Sequence, residues 1–306
     1  MWIISKWRGD ILIRGQIRQS LSGYYDVMGE DGVLYRTRAR GNFRKKGQSP
    51  LVGDWVELKA EKPDEGYILK IEARTNQLVR PPVANVDSAI VVTACCQPTF
   101  TSNLLDRQLL MLESNGIKPL LYFSKYDLLP AAKQAEMQEV MAYYSRLYPV
   151  YVQTKVDDEQ VFEKLLADLG GQVVVVMGQT GAGKSTLLNK IKPDLALETG
   201  QVSKALSRGK HTTRRVTLLD IKGSLIADTP GFSSFDILNI SKEELPLLYP
   251  EFRQRQGACK FRACLHVNEP QCAVKEAVAK QEIRQSRYDN YLQLHEMILN
   301  QKPKYR

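Results

Sequence analysis

Apolar and polar residues alternate in short runs over the first part of the chain. Ile11 to Ile17, Val33 to Arg38 and Asp54 to Leu58 follow a two-residue period, with glycine-containing turns at Gly29 to Gly32, Gly47 and Gly53 between them. This pattern predicts a small closed β-barrel of the SH3 or OB type over residues 1–72. Arg74 to Pro82, ending in two prolines, reads as a linker, so that residues 73–82 separate the barrel from the next domain. From Val83 the pattern becomes apolar strands alternating with helices. The strands are Ala89 to Ala94, Pro119 to Phe123, Tyr148 to Gln153, Val173 to Met177, Thr217 to Asp220 and Ser224 to Ala227. The helices are Asn103 to Asn115, Ala131 to Tyr148, Asp157 to Leu169 and Lys184 to Ile191. Such alternation predicts an α/β domain with a mostly parallel sheet over residues 83–235. Residues 236–306 read as helical, closing with one long helix from Ala273 to about Asn300.

Composition adds little to this until charge is resolved along the chain. The 306 residues carry a net charge of +9. Residues 1–82 hold 15 Lys/Arg against 10 Asp/Glu, the middle segment 16 against 15, and residues 236–306 hold 12 against 9. Basic flanks around a neutral centre suit a polyanionic partner, nucleic acid above all, although a soluble basic surface explains the charge alone equally well. No apolar run reaches the length of a bilayer span, and the N-terminus lacks the pattern of a signal peptide, so the expected location is the cytoplasm.

Three motifs carry nucleotide chemistry. Gly178-Gln179-Thr180-Gly181-Ala182-Gly183-Lys184-Ser185, followed by Thr186, lies between an apolar strand and a helix. That context marks a phosphate-binding loop whose backbone N–H groups and helix N-terminus face the phosphates. Lys184 is placed to contact the β- and γ-phosphates and Ser185 to bind Mg²⁺. Asp228 to Gly231 closes a second apolar strand, a position from which Asp228 reaches Mg²⁺ through water and Gly231 meets the γ-phosphate. Ser124, Lys125 and Asp127 follow a third strand. Asp127 can accept from the two donors that guanine presents and adenine lacks, while Lys125 lies along the base. Ser124 stands where Asn is usual. This base-reading segment precedes the other two, whereas in an ordinary GTPase it comes last. Either the parts are accidental matches, or this is a GTPase cut open and rejoined at a different place.

Gly209 to Arg214 lies between the phosphate loop and Asp228, where Thr212 or Thr213 can complete the Mg²⁺ shell. The position that holds a water-orienting Gln in Ras-like enzymes is Phe232, and His211 is the nearest candidate to replace it. A structural or partner-binding role is the alternative for His211. Three cysteines and a histidine fall within residues 259–272. Cys259, Cys264, His266 and Cys272 form a closed donor set suited to one structural Zn²⁺. His295 is expected at the surface, and Cys95 and Cys96 are expected to be buried small residues. In the barrel, Arg36, Arg38, Arg40, Arg44, Lys45 and Lys46 occur without an intervening acid, near Tyr35 and Phe43. They form a candidate strip for RNA phosphates and stacked bases.

Together these motifs resemble the ribosome small subunit-dependent GTPase A (RsgA) family of bacterial circularly permuted GTPases. Val52 to Val56 in the barrel, Ser124 to Asp127, Gly178 to Ser185, Gly209 to Thr213, Asp228 to Gly231 and the Cys/His cluster carry the resemblance across nearly the whole chain. It implies a permuted P-loop GTPase domain between an N-terminal OB-type barrel and a C-terminal helical zinc-binding domain. It further implies GTP and GDP as ligands, GTP hydrolysis stimulated by the 30S subunit, contact with 16S rRNA, late 30S maturation and a monomeric state. His211 then corresponds to the histidine proposed to replace the missing Gln, and Thr213 to the Mg²⁺ threonine, with Thr212 still open. Gln153-Thr154-Lys155 departs from the family's Ser-Ala-Lys-like base-supporting loop. Two readings compete with an active GTPase: an RNA-binding module with a passive guanine-nucleotide sensor, and an ATP-using P-loop enzyme.

Overall fold

The computed structural model describes residues 12–41, 43, 47–79, 81–155, 159–192, 216–228 and 240–301. In chain order these form strands β1 (Ile13–Leu21), β2 (Tyr24–Gly29), β3 (Leu34–Ala39), β4 (Trp55–Lys62), β5 (Glu65–Ile71), β6 (Gln77–Val79), β7 (Pro82–Ala84) and β8 (Ser88–Ala94). There follow helix α1 (Ser102–Ser114), β9 (Lys118–Ser124), α2 (Ala131–Ser145), β10 (Val150–Val152), α3 (Glu159–Leu169), β11 (Val173–Gly178), α4 (Lys184–Ile191), β12 (Val216–Ile221) and β13 (Ser224–Asp228). Helices α5 (Pro250–Arg253), α6 (Ala273–Ala279) and α7 (Gln285–Leu299) complete the chain. None of the described helices is long and apolar enough to cross a membrane.

Two compact units emerge. The first comprises Met1–Ser88, Lys164–Val176 and Ser185–Phe232. Its barrel closes through the pairings β1–β2, β2–β3, the parallel β3–β5, β5–β4 and β4–β1. Alternation sends Ile17, Val27, Tyr35, Val56, Leu58 and Ile68 into the barrel, all nearly or fully buried. The Val52 to Val56 motif now has a physical reason. Gly53 adopts a left-handed conformation, and a Cβ there would come within 2.1 Å of the Ala84 carbonyl. Asp54 is fully buried and accepts from Arg74 Nε and Nη2, each at 2.7 Å, and from the Leu51 N–H. The stretch read as a linker is therefore tied to the barrel, and it supplies β6 and the first residue of β7 to the β6–β7 hairpin. β1 also pairs with β12, with Gln19 opposite Thr217 and Ser20 opposite Val216, beyond the irregularity between Ile17 and Gln19. β12 runs antiparallel to β13, and β13 parallel to β11.

The second unit comprises Ala89–Glu163, Met177–Lys184 and Ser233–Arg306. Its strands lie in the order β10, β9, β8, with β9 and β10 parallel. The single long terminal helix expected from the sequence is instead two. Gln281 takes a left-handed conformation, and the N–H groups of Glu282 and Ile283 turn back to the Ala277 carbonyl. This is a helix stop that frees Ile283 to bury its side chain completely. His295 is also not at the surface. It is buried against Tyr291, their ring centroids 6.2 Å apart.

Side-chain packing of this unit centres on Arg287, which is 1% exposed. Its Nη1 donates to Asp106 of α1 at 2.5 Å, and its Nε donates to Glu251 of α5 at 2.7 Å. The Tyr144 hydroxyl and the Asn290 amide donate to Asp106, the Tyr143 hydroxyl donates to Glu251, and the guanidinium lies 4.3 Å from the Tyr249 ring centroid. Burial pushes the Asp106 carboxyl above its usual range, opposed by Arg287 and by the hydrogen bonds from Tyr144 and Asn290. Replacing Arg287 with Met should cost about 3–5 kcal/mol, because two buried carboxylates lose their cation. The loss should deepen as pH rises through the raised value of the Asp106 carboxyl, since the folded variant then binds more protons than the unfolded chain. Urea unfolding followed across pH checks this, and Lys70→Met at the exposed pair with Glu57 should leave the transition unmoved.

Candidate functional site: the nucleotide loops and the Cys/His cluster

The Gly178 to Lys184 loop has the backbone its glycines permit. Gly178, Gly181 and Gly183 all take positive φ, and a Cβ on Gly178 would sit 2.2 Å from the Val92 carbonyl oxygen. Lys184 opens α4, and its Nζ donates to the carbonyls of Gly178 and Gln179 at 2.8 and 2.9 Å. Burial lowers the pKa of this ammonium, so an anionic partner would stabilise its charge better than two carbonyls do. Ser185 and Thr186 continue the first turn of α4.

The base-reading segment is bound directly to this loop. The buried Ser124 hydroxyl donates to the Ala182 carbonyl at 2.6 Å. Lys125 adopts a left-handed conformation and sends its Nζ to the Gly181 carbonyl at 2.8 Å and to the Gln97 carbonyl. Its stem thus bridges the two segments, and Asp127 is left exposed on the 3₁₀ turn Tyr126–Leu128. Ser124 therefore acts as a tether, and the departure from Asn leaves that tether in place. Cys95 is buried as expected, its thiol pushed up to about 12 mainly by burial. Cys96 is only half-buried, and its Sγ lies 3.4 Å from the Lys125 carbonyl. In the Gln153 to Lys155 segment, Gln153 is held by its N–H to the Phe123 carbonyl and by its side chain to the Tyr122 hydroxyl.

Asp228 ends β13, as the strand pattern predicts. His211, Thr212, Thr213, Gly231 and Phe232 lie outside the described residues, as do Arg44, Lys45 and Lys46.

Cys259, Cys264, His266 and Cys272 converge, their ligand atoms all within 4.8 Å of one another. His266 Nδ1 lies 3.2 Å from Cys272 Sγ and 3.7 Å from Cys259 Sγ. Tetrahedral zinc with metal–sulfur bonds of about 2.3 Å needs donors separated by about 3.5–4 Å, so the set fits that ion. Burial pushes the Cys264 thiol up to about 12 and holds the imidazole neutral, the form that ligates. The surroundings fix the donors: Ala273 N–H points at Cys259 Sγ, the Tyr288 hydroxyl donates to the His266 carbonyl, and Glu269 accepts from the N–H groups of Leu265 and Val267. Four protein donors leave no open coordination position, which suits a structural role.

Comparison with known proteins settles the relationship. The family model described as RsgA GTPase matches residues 71–238, and that described as RsgA N-terminal domain matches residues 14–68. The chain belongs to the RsgA GTPase family. It is 54% identical to the small ribosomal subunit biogenesis GTPase RsgA of Limosilactobacillus reuteri (strain DSM 20016), covering 95% of this chain and 99% of that protein. The protein of the same name from Limosilactobacillus fermentum is 56% identical over 95% of this chain and 98% of its own. Among solved structures, YloQ, described as a circularly permuted GTPase, superposes with a TM-score of 0.81 at 38% identity, covering 97% of this chain and 99% of that one. YjeQ from Thermotoga maritima gives a TM-score of 0.82 at 32% identity, covering 95% and 100%. The architecture is that of a permuted GTPase with an OB-like barrel and a C-terminal cluster compatible with zinc, and the activity of the family is GTP hydrolysis.

The barrel strip is only partly as the sequence suggested. Arg36 and Arg38 share the outer face of β3 and lie over the Tyr24 ring at 4.9 and 4.4 Å from its centroid, while Arg40 is exposed just past the strand. Tyr35 cannot stack a base. It occupies the alternate position on β3, is buried in the barrel and donates its hydroxyl to Asp31. Among the aromatic residues of the outer face are Tyr24 and Tyr67, which sequence reading missed because their neighbours come from other strands. Cross-strand register sets Tyr24, Arg38, Tyr67 and Lys59 in one row over β2, β3, β5 and β4.

The Ser124 tether is open to test. Ser124→Ala leaves the buried Ala182 carbonyl without its donor and should weaken binding of both GDP and GTP by about 5-fold or more, consistent with a loss of about 1–3 kcal/mol. Titration with a fluorescent guanine nucleotide reads this directly, and unchanged affinity would dismiss the tether.

Proposed function

We propose that this protein is a GTPase acting late in maturation of the small ribosomal subunit, binding the 30S particle and 16S rRNA and leaving after hydrolysis. The observation that carries the reading is the bond between two sequence-distant segments. The base-reading residues hold the phosphate loop through Ser124 and Lys125, in the permuted order. The names of the relatives, which refer to small-subunit biogenesis, supply the partner. Residues 1–72 form the RNA-binding barrel in this reading, 73–82 the link, 83–235 the GTPase domain and 236–306 the zinc-binding domain of a cytoplasmic monomer.

Within the site, Asp127 reads guanine and Lys125 lies along the base. The N–H groups of residues 178–186 surround the phosphates, and Lys184 neutralises charge on the β- and γ-phosphates. Ser185 and Thr213, or Thr212 in its place, would hold Mg²⁺ with Asp228 in support, and the ion would supply positive charge against the phosphates. The Gly231 N–H meets the γ-phosphate. His211 orients the attacking water in place of a Gln. One zinc ion, held by the Cys259, Cys264, His266 and Cys272 donors, organises the C-terminal segment. Arg36, Arg38 and Arg40, with Arg44, Lys45 and Lys46, supply phosphate contacts to rRNA on the barrel, and the Tyr24–Arg38–Tyr67–Lys59 row supports such a face.

GTP turnover measured with and without purified 30S subunits tests the proposal. Stimulation by about tenfold or more is expected for a histidine-assisted hydrolysis completed by the particle, and none would favour a passive sensor. His211→Ala should lower stimulated turnover by about 10²-fold or more with nucleotide affinity nearly intact. Unchanged turnover would remove His211 from the mechanism. Neutralising Arg36, Arg38 and Arg40 together should weaken 30S association and flatten its salt dependence. An unaltered slope would place the RNA face elsewhere.

A further inference from the structure

Helix α1 presents two different faces. Three- and four-residue spacing puts Asn103, Asp106 and Arg107 on one side and Leu104, Leu105 and Gln108 on the other. The first side is bound to α7. Asn103 Nδ2 donates to the side chains of Asn290 and Gln293 at 3.1 and 3.0 Å, and Asp106 accepts from Arg287. On the second side Gln108 sits among the buried Leu105, Leu109 and Leu112 and is itself 2% exposed. Among the described residues its Nε2 has no acceptor within hydrogen-bond distance. Burying an unmet donor is destabilising, and a leucine at this position would avoid that penalty.

Gln108 lines a recess of about 20 Å³ that also touches Val92, Thr99, Thr101, Leu104 and Gln179. A space of about 10–15 Å³ is enough for one water, so this recess admits a water and excludes any organic ligand. Its position gives it consequence. Gln179 is the second residue of the phosphate loop, and its carbonyl accepts both the Ala182 N–H at 3.1 Å and Lys184 Nζ at 2.9 Å. Val92, on the same wall, backs Gly178 so closely that a Cβ there would sit 2.2 Å from its carbonyl oxygen. The recess therefore borders the residues that fix where the Lys184 ammonium stands.

We propose that Gln108 is a positioning residue for the phosphate loop, its amide donating to one ordered water seated between α1 and Gln179. Water suits the recess because it accepts from the Gln108 amide and keeps its own protons for acceptors on the opposite wall. A cation would meet the positive end of the amide dipole instead. The water braces the turn at Gln179, and with it the carbonyl on which Lys184 rests. Helix α1 can serve as the fixed side of this bridge because its other face is clamped to α7 through the buried Arg287 pair. The inference rests on the guanine-nucleotide reading above and adds to it a residue outside the nucleotide motifs.

The test uses the full-length protein with Gln108→Leu and Gln108→Met, which remove the amide at nearly constant volume. Each variant should bind GDP and GTP about 2- to 10-fold more weakly, the size of one lost water-mediated bond. Competitive titration against a fluorescent GDP reads this. Urea unfolding of the nucleotide-free variants should have its midpoint at the parent's value or above, because an apolar side chain replaces a buried donor. A merely structural glutamine would instead lower midpoint and affinity together. A crystal structure of the GDP-bound parent should show one water at about 2.7–3.2 Å from Gln108 Nε2. Unchanged nucleotide affinity in both variants, a midpoint that falls in step with affinity, or a Gln108 amide bonded to protein alone would overturn the proposal. A parent protein that binds no guanine nucleotide would sink the broader reading instead, so the two failures are separable.

Discussion

The nucleotide site depends on hydrogen bonds that the chain order does not supply. In this molecule the base-reading segment and the phosphate loop meet as the Ser124 hydroxyl on the Ala182 carbonyl and the Lys125 ammonium on the Gly181 carbonyl. Each bond joins a side chain to a main-chain carbonyl, and Ala182 is buried, so an unmet acceptor there is costly. The geometry of the loop is thus held by residues more than fifty positions earlier in the chain. This explains why a permuted order is tolerable. What matters is that the two segments meet in space, and a cut at a surface loop elsewhere leaves that relation intact.

A second constraint governs the C-terminal segment. Arg287 is fully buried with Asp106, Glu251, Asn290 and three tyrosines, joining α7 and α5 to α1 and α2. Its Nε and Nη1 are met from fixed directions, so the helices that supply those acceptors are bound to one arrangement. The Cys/His cluster sits beside the same core, with Phe252 packing edge-on against His266 at 5.7 Å. Helix α1 and the cluster are therefore parts of one packed body.

The proposed RNA contact depends on where exposed rings and cations coincide. On the barrel, strand register assembles Tyr24, Arg38, Tyr67 and Lys59 from four strands. The arrangement is non-local, and it leaves aromatic surface in water where a stacked base can cover it.

Much of this was legible in the sequence because it depends on local chemistry. Two-residue alternation marked the barrel, glycine spacing marked the phosphate loop, and four donors within residues 259–272 marked the metal cluster. Each depends on neighbours along the chain. What the sequence could not reveal depends on neighbours across space. Tyr35 looked available to bases, but strand parity buries it. The final helix looked continuous, but burial of Ile283 required a left-handed stop at Gln281. His295 looked like a surface residue of a polar helix and is buried, and nothing in the residues around Arg287 announces its burial. By itself the sequence determined the motifs, their permuted order and the family they belong to, because periodicity and spacing are properties of the chain. Only the tertiary structure decided which polar side chains are buried and which aromatic ones face water, because that choice is made by partners that long-range packing brings together.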